Sequence, residues 1–441
     1  MKWLEIIIKN MNVFDKIKEK DGKIYFVGGV VRDRILNRQS KDIDILVDNI
    51  SQADLEEILL PEGYDFVGRS FGTYKGKDIE FSLPRKDRKI GSGHKDFEIE
   101  LGATIKEDIQ RRDFTMNSLL MDEYFNIIDF TGQGLIDIKD GVIRPLHSDT
   151  YKEDPLRMLR AMRFQSQLGF TIFNGDLLCD SMYLINTISR ERIHDEFNKL
   201  LLGEHVGRVL ENATFISFLY RYIPNMYDLI CSTNYNTKHH FTNTYDHTRR
   251  IVNSIEPLLE LRLAAFFHDI AKPLTESIGE DGIYHNYGHE ALGAKITFDI
   301  MTKMGYSNDM VDTVTNLVKY HMTIRRPYTL RRFRRVINER SKEFLSLLIR
   351  LVIEDSRHTK TGIDESEIKE IRDLYDKACE LPNKPRDLQI DGNDIMRELN
   401  INTGVIVGTI IHELIEKVLD DSSLNEKGKL LELARKIYRE L

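Results

Sequence analysis

The chain has 441 residues, 41% apolar and 30% charged, which supplies enough apolar side chains for buried cores and excludes wholesale disorder. At this length it is expected to divide into several domains of roughly 100–150 residues each. Lys and Arg number 63 against 71 Asp and Glu, a net charge of −8 that excludes a uniformly basic nucleic-acid coat and leaves room only for a local cationic patch. Cys179, Cys231 and Cys379 are far apart and form no CxxC, so a disulfide framework and a cysteine zinc site are not expected, and the chain reads as cytoplasmic. The opening MKWLEIIIKNMNVFDKIKEK is amphipathic without the features of a signal peptide. No apolar run approaches the ~20 residues of a membrane span.

Up to about residue 145, short apolar runs alternate with glycine turns. IYFVGG reads as a buried strand, VVRDRILN as a helix, DIDILV as a second strand and DIEFSL as a third, with FEIEL and IIDF as further strands. That mixture indicates an α/β or α+β domain. PRKDRKIGSGHKD, polar, basic and glycine-containing, reads as a mobile loop. Beyond Glu153 the strand signal fades. EDPLRMLRAMRFQSQLG opens an amphipathic helix with proline in its first turn. Helices are then expected around RERIHDEFNKLLLG, HVGRVLENATFISFLY and TRRIVNSIEPLLELRLAAFFHDIAK and on to the end. Polar stretches place boundaries near Leu146, Asn234 and Pro382.

FVGGVVRD followed by DIDILV carries the first chemistry. Asp42 and Asp44 are two apart on an expected strand, so both carboxylates face one side. Their repulsion favours a shared divalent cation, and oxygen ligands suit Mg²⁺, which keeps waters and substrate phosphates as its other ligands. Gly28 and Gly29, between strand and helix, let backbone N–H groups approach phosphates. Arg32 and Asp33 lie on the first turns of that helix, and Glu80 in IEFSL is a third carboxylate within the expected sheet. Metal, triphosphate and an incoming hydroxyl together describe nucleotidyl transfer.

These motifs have a known family likeness. GGVVRD…DIDILV, RRDFTMNSLLMD, IIDFTGQGLIDIKDGVIRPL, EDPLRMLRAMRF and SRERIHDEF resemble, in order, the five motifs of the class II tRNA nucleotidyltransferases and bacterial poly(A) polymerases. The resemblance implies a polymerase-beta-like α+β head with a mixed sheet at residues 1–145 and an all-α neck at 146–235. It implies that Asp42 and Asp44 hold the catalytic metal, that Arg112 contacts the triphosphate, that Asp113 accepts the ribose 2′-hydroxyl and that Asn117 supports the sugar–phosphate end. Asp154 and Arg157, three apart and expected on one helix face, would read the Watson–Crick edge of cytosine or adenine, with Arg160 and Arg163 on the phosphates. The loop GSGHKDF resembles the family's flexible loop. The partners implied are CTP, ATP and a tRNA 3′ end extended with C and/or A, without a membrane; no pattern signals an oligomeric state. A poly(A) polymerase shares the same five motifs and is the nearest alternative. A phosphohydrolase with a docking head is the next.

A second constellation spans residues 236–380. It comprises His247, the His268–Asp269 pair of FFHDIAKP, His289, His321 and Asp355. Imidazoles and carboxylates in a helical setting suit a transition metal such as Mn²⁺, Ni²⁺, Co²⁺ or Fe. The pattern resembles the HD phosphohydrolase superfamily. That resemblance implies one metal on His247, His268, Asp269 and Asp355, a second on His289 and His321, and hydrolysis of a phosphoester such as a 2′,3′-cyclic phosphate. RRPYTLRRFRR places Arg325, Arg326, Arg331, Arg332, Arg334 and Arg335 within eleven positions, suited to an RNA backbone or to intramolecular pairing. Residues 381–441 are expected as a helical tail.

Overall fold

The computed structural model describes residues 2–40, 42–67, 72–89, 97–232, 243–280 and 284–441. The chain divides into two compact units, Met1–Tyr222 and Ile223–Leu441. The first is α+β. Besides a short parallel pair, Val142–Ile143 with Thr171–Ile172, its strands are β1 (Lys23–Val27), β2 (Ile43–Asp48), β3 (Asp65–Val67), β4 (Thr73–Lys75), β5 (Ile79–Ser82), β6 (Arg85–Lys89), β7 (Phe97–Leu101), β8 (Leu120–Asp122) and β9 (Ile127–Ile128). Seven of them form one mixed sheet in the order β3-β4-β5-β2-β1-β8-β9. β1 runs antiparallel to β2 and β8, and β2 runs parallel to β5 in a register that sets Asp44 beside Glu80. Ile45, Leu46 and Val47 are buried on both faces of β2, as its nearly continuous apolar run requires. Phe14 packs edge-on against Phe26 and Phe81 beneath the sheet.

β6 and β7 pair antiparallel as a separate ribbon. The expected loop therefore begins as a strand: Arg85–Lys89 is extended and paired, because the opposing Phe97–Leu101 supplies the ladder that its polar side chains do not advertise. The segment GSGHKD lies outside the described residues.

The helix Leu156–Leu168 ends at Gly169 in the left-handed conformation and packs on Arg190–Leu201. Two expected helices are broken. HVGRVLENATFISFLY divides into Val206–Leu210 and Ala213–Tyr222, and the run before FFHD divides into Thr244–Ser254 and Leu259–Phe267. The second break falls at Glu256–Pro257, where proline disfavours a helical residue before it.

The second unit is helical, with a small two-stranded ribbon at Ser277–Ile278 and Tyr284–His285. Its helices include His289–Met304, Asn308–Tyr320, Leu330–Glu339, Lys342–Arg357 and Glu365–Glu380. The helices Gly392–Leu399, Val405–Asp420 and Lys427–Glu440 share an apolar core of their own around Ile395, Leu414 and Leu430. Among the described residues no helix is long and apolar enough to cross a membrane.

The arginine-rich run is mostly spent inside this unit. Arg326 pairs with Glu367, Arg331 with Asp420, Arg335 with Glu339, and Arg332 donates to the carbonyls of Arg325 and Pro327. Arg334 is buried and donates to Leu419 O at 2.8 Å, Pro382 O at 2.6 Å and Asn383 Oδ1 at 3.3 Å. A buried guanidinium satisfied by carbonyls is a latch for the tail, because hydrogen bonds to a charged group each contribute ~1.5–3 kcal/mol. Arg334→Ala is expected to expose the tail to limited proteolysis ahead of the rest of the chain; wild-type digestion kinetics would contradict the latch.

Candidate active site and candidate metal centre

A cleft of about 1020 Å³ in the first unit collects most of the expected residues: Gly28, Gly29, Arg32, Asp33, Asp42, Asp44, Arg112, Asp113, Asn117, Asp154, Arg157, Arg160 and Arg163. Gly28 has φ +71° and ψ −131°, a conformation that costs a side-chain-bearing residue strain. A Cβ there would lie 3.5 Å from Arg112 Nη1 and 3.6 Å from Asp44 Oδ2, so this glycine turn sits between the carboxylate and the guanidinium.

Asp44 lies on β2, and Asp42 stands just before its first residue rather than within it. Both still reach the cleft. Asp44 is open to the cleft but flanked by protein. Loss of hydration, the Glu80 charge on β5 and the Asp42 charge push its carboxyl up to about 6, against the opposing pull of Arg112. Glu80 is a sheet neighbour of Asp44 and does not itself line the cleft. Three carboxylates crowded this way, with carboxylate oxygens open to solvent, fit a divalent oxygen-seeking cation such as Mg²⁺.

Behind them runs a chain of ion pairs. Arg32 donates to Asn117 Oδ1 at 2.7 Å and to Asp33 Oδ1, with its guanidinium 4.9 Å from the centre of the Phe164 ring. Asn117 Nδ2 donates to Asp113 Oδ1 at 3.0 Å. The other oxygen of Asp113 accepts from Arg160 at 2.7 and 2.9 Å. Burial raises the Asp113 carboxyl, but the Arg160 charge and the hydrogen bonds from Asn117, Arg160 and the Phe114 N–H outweigh it and hold it below the usual range. Glu196, buried on Arg190–Leu201, pairs with Arg163 at 3.2 Å. Burial lowers the Arg163 guanidinium to about 10 despite Glu196.

Asp154 departs from its expected place. It lies in an extended break between the turn Thr150–Glu153 and the helix Leu156–Leu168, because Pro155 favours an extended residue before it. It is thus not on one helix face with Arg157. Its Oδ1 accepts the Leu156 N–H at 3.1 Å and its Oδ2 pairs with Arg192 at 3.0 Å. Arg157 donates to Glu153 Oε2 at 3.0 Å, to Thr150 O at 3.2 Å and to Arg111 O. Both side chains nonetheless face the cleft.

Two positioning residues carry no role in the sequence reading. Glu196 stands within the quoted SRERIHDEF. Asp108 sits on the helix Ile105–Gln110, which Thr104 and Glu107 cap reciprocally. It is fully buried, and its Oδ2 accepts from Arg112 at 2.9 and 3.2 Å while Oδ1 accepts from Arg111 at 3.0 Å. An acid four residues before an arginine on a helix is the available signal.

In the second unit the six expected ligands converge, in two groups of three. One is His247, His268 and Asp355; the other is Asp269, His289 and His321, the ligand atoms within each group lying within 4.8 Å of one another. Asp269 therefore groups with His289 and His321, not with the set expected for it, because its Oδ1 points toward His289 Nε2 at 3.4 Å. Asp269 Oδ2 still approaches His268 Nε2 at 3.1 Å, so it stands between the groups. The Nδ1 atoms of His268, His289 and His321 meet the carbonyls of Ala265, Asn286 and Val318 at 2.8, 2.7 and 2.6 Å. That leaves the three Nε2 atoms as inward-facing donors. His289 Nε2 and His321 Nε2 are only 3.1 Å apart. Burial, then the charges of His268 and His289, push His321 down to about 3, so its ring is neutral and able to ligate. Burial opposes the charge on Asp355, but the His247 hydrogen bond and charge win and hold it well below the usual carboxylate range. The donor set fits borderline divalent metals.

A mixed sheet with clustered carboxylates and arginines lining one cleft, in a chain whose other unit is helical and carries paired His–Asp groups, defines a nucleotidyltransferase head followed in sequence by an HD domain. The family model described as poly A polymerase head domain matches residues 24–144, that of the probable RNA and SrmB-binding site of polymerase A matches 177–225, and the HD domain model matches 237–358. The multifunctional CCA protein of Pasteurella multocida is 31% identical over 405 residues, covering 85% of this chain and 92% of that protein. The CCA-adding enzyme of Ligilactobacillus salivarius is 28% identical, covering 98% and 97%. The solved CCA-adding enzyme of Bacillus stearothermophilus in complex with CTP aligns with a TM-score of 0.70 at 21% identity over 98% of each chain, which shares the fold. The chain belongs to the CCA-adding tRNA nucleotidyltransferase family, with the divalent-metal dependence of its nucleotidyltransferase and HD domains.

Asp108→Asn should release Arg112 and cut kcat/KM for the incoming nucleotide by about 10- to 100-fold, the loss of one to two charge-assisted hydrogen bonds. Steady-state kinetics test this, and an unaltered kcat/KM would remove Asp108 from the site.

Proposed function

We propose that the first unit adds C and A from CTP and ATP to the 3′ end of tRNA, without a nucleic-acid template. The observation that carries this reading is the cleft in which Asp42 and Asp44 stand opposite Arg112, Arg160 and Arg163. One side is built for a cation and the other for phosphates. The RNA 3′-hydroxyl attacks the α-phosphate in line, an O–P bond forms, and the bond to pyrophosphate breaks. Asp42 and Asp44 would hold Mg²⁺, with Glu80 as the neighbouring charge that tightens their demand for it. Bound there, Mg²⁺ polarises the α-phosphate and offsets charge on the leaving group.

Gly28 and Gly29 let the backbone approach the triphosphate, which Arg112 holds. Arg32 and Asp33 brace Asn117, and Asn117 and Arg160 brace Asp113 at the ribose. Asp154 and Arg157 read the base, with Arg163 on the phosphates. The kinship with a multifunctional CCA protein and a CCA-adding enzyme favours tRNA addition over poly(A) synthesis, and the solved Thermotoga maritima CCA-adding enzyme complexed with tRNA is alike in fold at TM-score 0.59.

In the second unit, His247, His268 and Asp355 would hold one transition metal, Mn²⁺, Ni²⁺, Co²⁺ or Fe, and Asp269, His289 and His321 a second. The pairing of these groups supports phosphoester hydrolysis, a 2′,3′-cyclic phosphate being a suitable substrate. Residue boundaries near 145, 235 and 380 divide head, neck, HD domain and tail on this reading, and three free cysteines suit a cytoplasmic setting.

Incubating the protein with tRNA lacking one, two or three terminal nucleotides, Mg²⁺ and each nucleotide separately gives product lengths that test the assignment. Long A-tails on unrelated RNA would favour poly(A) synthesis instead. Asp42→Ala should abolish addition while RNA binding persists. His268→Ala should leave addition intact, bind less transition metal by elemental analysis and lose metal-dependent phosphoester hydrolysis. Addition that survives Asp42→Ala would refute the first site.

A further inference from the structure

The cavity over the His–Asp groups is far larger than a phosphate needs. It encloses about 740 Å³, and Asp269, His289, His321 and Asp355 line its floor. A volume in the ~300–1,000 Å³ range suits a whole small molecule rather than a bare anion. Its walls differ in chemistry. On one side stand His285 and Tyr287, with ring centroids 5.2 Å apart and planes within 10° of parallel. Tyr287 is 78% exposed, so its outer face is open although its inner face is stacked. The pair stands at the cavity edge, with His285 closing the ribbon strand Tyr284–His285 and Tyr287 two residues beyond it and two before His289.

The other wall carries arginines. Arg326 is held by Glu367, Thr361 and the Gly362 carbonyl and is committed to structure. Lys272 is likewise held by Asp269 at 2.6 Å. Arg325 is exposed, and among the described residues its guanidinium has no ionic partner. A planar ring platform and an uncommitted guanidinium thus flank the same inward-facing imidazoles.

We propose that the His285–Tyr287 pair is a stacking platform for a nucleobase and that Arg325 anchors a flanking phosphate. The HD site would then select nucleotide phosphoesters, such as those at an RNA end, over phosphoesters without a base. This rests on the phosphohydrolase reading of that site and adds its specificity determinants. Stacking of a base on an aromatic side chain is worth ~1–3 kcal/mol, a factor of roughly 5–150, and needs no particular base identity. A base-tolerant platform suits RNA ends of different sequence.

The test uses the full chain loaded with Mn²⁺. Hydrolysis of nucleoside 2′,3′-cyclic phosphates and of 2-glycerophosphate is followed for wild type, Tyr287→Ala, Tyr287→Phe and Arg325→Ala. Calorimetric binding of a nucleoside 2′-monophosphate and of 2-glycerophosphate is measured in parallel. Tyr287→Ala should raise KM and weaken binding about tenfold for the nucleoside compounds and leave 2-glycerophosphate unchanged. Tyr287→Phe should retain wild-type values, because it keeps the ring. Arg325→Ala should weaken both ligand types. Equal losses on both ligands in Tyr287→Ala, or no loss on either, would overturn the platform. Absence of hydrolysis in the wild type with Mn²⁺, Ni²⁺ and Co²⁺ would remove the phosphohydrolase reading. The difference in nucleotide binding between wild type and Tyr287→Ala would then decide the platform alone.

Discussion

Carboxylates held side by side cannot all remain charged without a cation, and the head is built around that constraint. The parallel register of β2 and β5 fixes Asp44 next to Glu80, and Asp42 adds its charge from the chain just before β2. Each charge raises the cost of ionising its neighbour. The sheet cannot relax this repulsion, because Ile43, Ile45, Leu46 and Val47 anchor β2 in the core. A divalent cation held by Asp42 and Asp44 would relieve what the fold has imposed, and such a cation takes phosphate oxygens as further ligands. The positive-φ turn at Gly28 then places Arg112 on the opposite side of the same site.

The rest of the cleft holds positive charge in place. A free arginine would lose a great deal of side-chain entropy on binding phosphate. Here Arg112 is fixed by Asp108, Arg160 by Asp113, and Arg163 by Glu196. Each pairing commits part of a guanidinium to protein and leaves it preorganised for the remainder. Asp113 and Asn117 link these pairs through Arg32 to the glycine turn, so groups from both ends of the first unit's sequence form one network. Preorganised charge of this kind is where enzymes gain most of their transition-state stabilisation.

The second unit solves a different problem with similar means. The Nδ1 atoms of His268, His289 and His321 are held against backbone carbonyls, which sets the ring nitrogen that faces inward. Asp269 stands between the two groups of three, with one oxygen toward each. A carboxylate so placed could serve as an oxygen ligand to either group.

The sequence by itself marked which residue types gather: the glycine pair, the Asp-x-Asp and the arginines of the motifs line one cleft, and the spaced histidines and aspartates converge in two groups. Short apolar runs bounded by glycine also marked most of the sheet, because a buried strand and its turns are local patterns. What depended on partners distant in the chain was decided only in three dimensions. The ribbon strand Arg85–Lys89 looked like loop because its stability comes from Phe97–Leu101, not from its own side chains. Asp154 left the helix because Pro155 outweighed the spacing that paired it with Arg157. The arginine run suited either an RNA backbone or intramolecular pairing, and only the fold shows Arg326 paired with Glu367, Arg331 with Asp420 and Arg334 with the acceptors of Leu419, Pro382 and Asn383. Asp269 reaches both groups of ligands because which histidine meets which carboxylate is set by helix packing, and no spacing along one chain encodes the distance between two helices.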